Sequence, residues 1–201
     1  AARCERSSVH APPSYFQKRS SNAAAVNKLP ALPHTATEIR SLAAALGAKP
    51  GSFLLDSEAT EAELRRFNRT GELGRADVIA FATHGLLGTE AEDYIGEPAL
   101  ALTPPTLNGE EENPFNDGLL TASEATELDI SANWVLLSAC NTAAGDKPGA
   151  EQLSGLASGF LAAGAKSLLV SHYPVFDDAA ADLTINAVST AKEQDVRRSE
   201  A

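Results

Sequence analysis

Three short apolar runs predict buried β-strands in this chain. Residues 78–81, 134–137 and 167–171 are mostly apolar and lack the alternation of a strand that has one face in water. Runs of this kind are typical of strands buried on both faces of a parallel sheet.

Helices are predicted before and between these strands. Thr35 and Glu38 have the spacing of a capping box, and Thr60 and Glu63 repeat it at the next predicted helix. Gly47 stands where the first helix is expected to end. A strand, a helix and a strand over the last two runs predict a right-handed crossover, and so an α/β fold with helices on both faces of the sheet. The apolar stripes of the three helices consist of Ile39, Leu42, Ala43 and Leu46; of Leu64 and Phe67; and of Leu153, Leu156, Ala157, Phe160 and Leu161.

Two regions have little periodicity. Residues 1–30 are rich in Ala, Ser and Pro and are predicted to be mostly irregular. Residues 88–118 contain several Pro and Gly; a short strand is predicted at 99–102 and an exposed loop at 108–117. That loop is either a substrate-facing element or a tolerated surface insertion.

The charge and the cysteine content narrow the classes of partner. The formal net charge of −11 argues against nonspecific binding to nucleic acid or to an anionic membrane, because both need a positive field. No apolar stretch is long enough to span a bilayer and no signal peptide is visible, so a cytoplasmic location is favoured. Cys4 and Cys140 are the two cysteines and lie far apart in the sequence, so we expect no disulfide framework, no structural metal and no cofactor.

Chemically competent residues follow all three predicted strands. His84 and Gly85 follow the first, Cys140 follows the second, and the segment 172–178 follows the third. Ligands and reactive groups gather at the carboxyl ends of parallel strands, and an imidazole beside a thiol makes it a better nucleophile by taking its proton. The alternative is that Cys140 and His84 are packed core residues, which is common for both residue types.

The residues around both candidates closely resemble a known family. Phe-Ala-Thr-His-Gly at 81–85 and Leu-Leu-Ser-Ala-Cys-Asn-Thr at 136–142 resemble the two signature motifs of the CHAT family, and the likeness covers about 30–183. CHAT domains are caspase-like domains of clan CD, related to caspases and separase. The resemblance implies a caspase-like three-layer sandwich with a mostly parallel central sheet and helices on both faces. It implies a catalytic domain over 31–201, with 1–30 as a remnant of the preceding part.

The resemblance also implies the roles of single residues. His84 would be the base and Cys140 the nucleophile, and the backbone N–H groups of Gly85 and Cys140 would form the oxyanion hole. Asp177 matches the position at which separase-like relatives accept a basic P1 side chain, and Asp178 stands beside it.

Each substrate-binding candidate has an alternative role. Asp177 or Asp178 can cap a helix that begins near Ala179, and Glu151 can contribute to substrate binding or stabilise the start of its own helix. His172 is expected to be part of a pocket wall or of the packing rather than a metal ligand.

Together, these expectations predict a cysteine endopeptidase that acts on a protein or peptide and prefers a basic P1 residue. Many CHAT domains are found beside TPR repeats, so regulation by a TPR or other partner domain, in a bacterial setting, is the expected context. The alternatives are a catalytically silent caspase-like scaffold or interaction module, and acyl transfer to a non-peptide amine by the same two residues.

Overall fold

A computed structural model describes residues 23, 26–86, 97–105, 116–138, 150–170 and 186, with the side chains of 150–154 excepted. These residues include five helices and six strands in α/β order, besides a short 3-10 helix at Asp56–Glu58. The helices are α1 (Thr35–Leu46), α2 (Glu61–Arg69), α3 (Glu72–Arg75), α4 (Ala122–Ala125) and α5 (Ala150–Ala162). The strands are β1 (Val78–Ala82), β2 (Gly85–Leu86), β3 (Ala99–Ala101), β4 (Leu119–Thr121), β5 (Trp134–Ser138) and β6 (Leu168–Val170).

The three predicted apolar runs form one parallel sheet in the order β1, β5, β6. The register pairs Val78 with Trp134 and Ala82 with Ser138, so β1 and β5 end side by side. Helix α5 connects β5 to its parallel neighbour β6. The predicted α/β fold class is therefore confirmed.

Helices cover both faces of this sheet. Leu136 packs with Leu42 of α1, whereas the flanking residues Val135 and Leu137 pack in the cluster that contains Phe160 of α5. Successive side chains of a strand point to opposite faces, so α1 and α5 lie on opposite sides of β5. The continuous apolar runs follow from this burial, since neither face of the strand meets water.

A second, antiparallel sheet has the order β2, β3, β4. Only β3 was expected from the sequence, at 99–102. Leu100 and Leu119 are completely buried, and Asn116 and Asp117 are also buried. The prediction of an exposed loop is therefore wrong for these last two residues, because they pack in the turn that enters β4; residues 106–115 lie outside the described part of the chain.

The helix ends agree only in part with the predicted caps. The capping box at Thr35 and Glu38 is wrong: α1 has His34 as its N-cap, and the Thr35 hydroxyl donates to the Leu32 carbonyl. The Thr60 side chain does accept from the Glu63 backbone N–H, as predicted. Gly47 ends α1 with a φ of 66°, a left-handed conformation that favours glycine.

Candidate active site

His84 lies between the two sheets. Its backbone follows β1 after a single residue and leads directly into β2. The His84 carbonyl accepts a hydrogen bond from the Ala101 N–H at 2.9 Å, and the Thr83 hydroxyl donates to the Ala101 carbonyl. These bonds attach the end of β1 to β3, so the backbone that carries the imidazole is held against the second sheet.

The ring of His84 is oriented by a backbone carbonyl. The side chain is buried, at 7% exposure, and its Nε2 lies 2.7 Å from the Pro30 oxygen. A carbonyl oxygen can only accept, so Nε2 carries the proton and donates. In the neutral ring, Nδ1 is then the nitrogen with an available lone pair, which is the state that a general base requires.

The ends of β1 and β5 are joined by one further ladder bond. The Thr83 N–H donates to the Ser138 carbonyl at 3.2 Å, so the pairing continues one residue beyond β1. Along the sequence, His84 comes two residues after Ala82, and Cys140 comes two residues after its partner Ser138. Cys140 itself lies outside the described residues.

Gly85 is paired in a way that directs its N–H away from β3. Gly85 stands opposite Leu100, and the bond from Ala101 N–H to the His84 carbonyl flanks this pair. That pattern marks a non-hydrogen-bonded pair of an antiparallel ladder, in which the N–H and C=O of both residues point outward. The Gly85 amide is therefore directed toward the side of the strand opposite β3.

The predicted substrate-binding residues are not described in the same detail. Asp177, Asp178 and His172 lie outside the described part of the chain. Glu151 is in the first turn of α5, as the sequence suggested, and its side chain is among those not described. Within the described ranges, no group of three or more His, Cys, Asp or Glu residues could hold a metal ion, and no helix is long and apolar enough to cross a membrane.

Comparison with protein families agrees with the motifs and the fold. The model of the CHAT domain matches residues 2–201. This chain belongs to the CHAT domain family. The family is caspase-like and related to peptidases, which supports a protease-like function at a coarse level. Searches of the curated proteins and of the solved structures gave no match.

Two residues of this CHAT domain contact the strand ends in ways that the sequence analysis missed. Pro30 had been assigned to the irregular segment, and a backbone carbonyl gives no signal in the sequence. Glu38 had been assigned to a capping box, but its Oε2 accepts from the Ser138 hydroxyl at 3.2 Å. The available signals were a glutamate in the first turn of a helix whose stripe is apolar, and the resemblance of the stretch that ends at Glu38 to the family.

Buried carboxyl groups bind the chain at both ends of β4. Glu61 Oε2 accepts from the N–H groups of Asp117 and Gly118, both at 2.7 Å, while its Oε1 has no hydrogen-bond partner among the described residues. Burial, reinforced by the nearby carboxylates of Glu124 and Asp117, raises the pKa of Glu61 to about 8. Burial also raises the pKa of Glu124, against the opposing effect of hydrogen bonds from Thr121 and the charge of Arg65.

Proposed function

We propose that this CHAT domain is a cysteine endopeptidase in which His84 is the general base and Cys140 the nucleophile. The observation that carries the proposal is the register of β1 and β5, which pairs Ala82 with Ser138. His84 and Cys140 each follow one of these paired residues by two positions. Parallel neighbouring strands bring their following residues to the same edge of a sheet, where active sites of α/β proteins form.

The orientation of the imidazole supports the role of base. With Nε2 donating to the Pro30 carbonyl, Nδ1 accepts the proton of the Cys140 thiol. The thiolate attacks the scissile carbonyl, and His84 then returns the proton to the leaving amine. Water hydrolyses the resulting thioester, with His84 again taking a proton, and the free thiol is restored.

The outward-directed amide of Gly85 supports an oxyanion hole. The carbonyl oxygen becomes negative when the thiolate adds, and two N–H donors at that point stabilise the charge. Gly85 N–H is not used by the ladder with β3, and the Cys140 N–H is proposed as the second donor. A residue without a side chain also allows the substrate backbone to approach closely.

A covalent probe tests the nucleophile and the base. An acyloxymethyl ketone with Arg at P1 is expected to alkylate Cys140 of the full chain, with loss of its carboxylate leaving group. Cys140→Ala should abolish labelling, and His84→Ala should slow it at least about 100-fold because the thiol then lacks a base. The rate and the modified residue are measured by intact-protein and peptide mass spectrometry.

Cys4→Ser is the matched control, since it removes the chain's other thiol. Its labelling should equal that of the wild type. Labelling of Cys4, or an unchanged rate in His84→Ala, would contradict the proposed pair. An absence of labelling, also after addition of candidate partner domains, would favour the scaffold function instead.

We further propose that the peptidase prefers a basic P1 residue, bound by Asp177 with Asp178 and Glu151 nearby. A carboxylate suits Arg because the planar guanidinium donates paired, charge-assisted hydrogen bonds. Regulation by a TPR or other partner domain belongs to the same proposal, since peptidases of this kind are often held inactive until their loops are arranged.

Asp177→Ala is expected to lower the preference for Arg over Leu at P1 by at least about 10-fold, because one charge-assisted pair is lost. The measurement is the ratio of labelling rates of two probes that differ only at P1. Glu127→Ala is the control, since it removes an exposed charge that lies just after α4. An unchanged ratio in Asp177→Ala would eliminate this residue as the specificity determinant.

A further inference from the structure

Glu38 is a buried glutamate that binds the end of a strand. It lies in the first turn of α1 and is only 4% exposed. Its neighbours on the same face of the helix and sheet are apolar, including Leu42 and Leu136. Burying an ionisable group in such a layer is costly unless it is hydrogen-bonded, and Glu38 Oε2 accepts from the Ser138 hydroxyl at 3.2 Å.

The segment 30–38 contacts both strand ends that lead to the proposed catalytic residues. At one end of the segment, the Pro30 carbonyl accepts from His84 Nε2 at 2.7 Å. At the other end, Glu38 accepts from Ser138, the last residue of β5. The Thr83 N–H bond to the Ser138 carbonyl then joins the two strand ends to each other. The three bonds form a closed chain of contacts around the carboxyl edge of the parallel sheet.

We infer that Glu38 is a positioning residue: it holds Ser138, which stands two positions before Cys140 in the sequence, beside the end of β1 that leads to His84. This rests on the proposed function. The bond joins the Ser138 hydroxyl to a side chain of α1, so Ser138 is restricted by a directional contact as well as by packing. Small displacements of reacting groups reduce rates strongly, and a residue remote from the substrate can therefore control the reaction.

The test compares labelling rates of the full chain with two probes, one with Arg and one with Leu at P1. Glu38→Ala and Ser138→Ala should each slow both probes by about 10-fold, the factor that corresponds to 1.4 kcal/mol. The double variant should be no slower than the slower single variant, because both remove the same bond. Glu38→Gln keeps an oxygen acceptor for Ser138 and should stay within about threefold of the wild type.

Final labelled fraction and stability distinguish positioning from folding. All variants should reach complete labelling, since positioning lowers the rate and not the number of folded sites. Glu63→Ala is the control, because Glu63 is also a first-turn glutamate but is only half-buried and pairs with Arg66. If Glu38→Ala does not fold, Ser138→Ala, which removes a single hydroxyl, carries the comparison.

Three results would overturn the inference: wild-type rates in Glu38→Ala and Ser138→Ala, a smaller labelled fraction at an unchanged rate, or a loss confined to the Arg probe. The last would mean that Glu38 recognises the substrate directly. If the wild type is not labelled by either probe, the proposed function has failed. The alkylation rate of Cys140 by iodoacetamide then tests the positioning role of Glu38 independently of the peptidase activity. Equal rates in wild type and Glu38→Ala would reject that role.

Discussion

The carboxyl group of Glu61 is a hydrogen-bond acceptor for backbone N–H groups. It stands in the first turn of α2, where a glutamate usually interacts with its own helix, but it binds the N–H groups of Asp117 and Gly118 instead. Buried N–H groups need an acceptor, and the turn into β4 obtains one from a residue 56 positions earlier. Thr121 and Glu124 form a complete capping box just after this turn. Buried carboxyl groups in this region thus accept hydrogen bonds from main-chain N–H groups.

Glu61 should make the stability of the protein fall as pH rises through neutrality. Its pKa in the folded chain is about 8, whereas the ordinary value is 4.5. Below pH 4.5 the carboxyl is protonated in both the folded and the unfolded state. Between pH 4.5 and about 8 the unfolded state has lost the proton and the folded state still holds it, so the free energy of unfolding falls across this window and levels off above it. The slope reaches up to about 1.4 kcal/mol per pH unit. Urea unfolding of Glu61→Gln, which keeps an acceptor for both N–H groups, should show a smaller loss between pH 5 and pH 8.

Glu63→Gln is the matched control for this comparison, because Glu63 lies on the same helix and its side chain is only half-buried. It should retain the pH dependence of the wild type. Glu124, whose pKa is also raised, contributes in the same direction and remains in both variants. Equal pH dependence in Glu61→Gln and wild type would show that Glu61 does not hold its proton in the folded state.

At the scale of elements, α4 and α5 approach each other at a glycine. A Cβ atom built on Gly159 would lie 2.6 Å from the Ala122 carbonyl oxygen and 3.3 Å from the Ala125 Cβ. Backbone atoms cannot move aside as a flexible side chain does. The short distance between the two helices therefore depends on the absence of a side chain at Gly159. This contact holds α5, the crossover between β5 and β6, against the helix that follows β4.

Gly159→Ala should therefore destabilise the protein by about 1–3 kcal/mol, although alanine favours a helix more than glycine does. The midpoint of urea unfolding measures the change. Ser158→Ala is the control, because Ser158 is the exposed neighbour in the same helix, and it should leave the stability nearly unchanged. A Gly159→Ala variant as stable as the wild type would mean that α4 and α5 have room to separate.

At the scale of the whole molecule, the two sheets share one core. Phe160 of α5 is completely buried and contacts the ring of Phe81 in β1 at a centroid distance of 5.4 Å. The same cluster contains Leu100 of β3 and Val135 of β5. His84 lies between β1 of the first sheet and β2 of the second. The proposed base therefore lies where two packed sheets meet rather than on a free loop. That location explains why its backbone and its ring are both held by hydrogen bonds.

Local patterns were sufficient for the parts of the fold that repeat along the chain. The apolar runs predicted β1, β5 and β6 and their parallel arrangement, and the glycine after α1 predicted its end, because burial on two faces and a left-handed turn each restrict the residue types at single positions. The same patterns indicated that His84 follows a buried strand. The family motifs then added the expected nucleophile, Cys140, which stays a prediction.

Partners that are remote in the sequence were decided by the tertiary structure alone. Glu38 has the spacing of a cap but binds Ser138, 100 residues later, and the His84 ring is oriented by a carbonyl 54 residues earlier. The antiparallel sheet was largely missed because β2 and β4 are too short to show a period. Periodicity reports which face of an element is buried, whereas a hydrogen-bond partner is chosen only when that face meets another element.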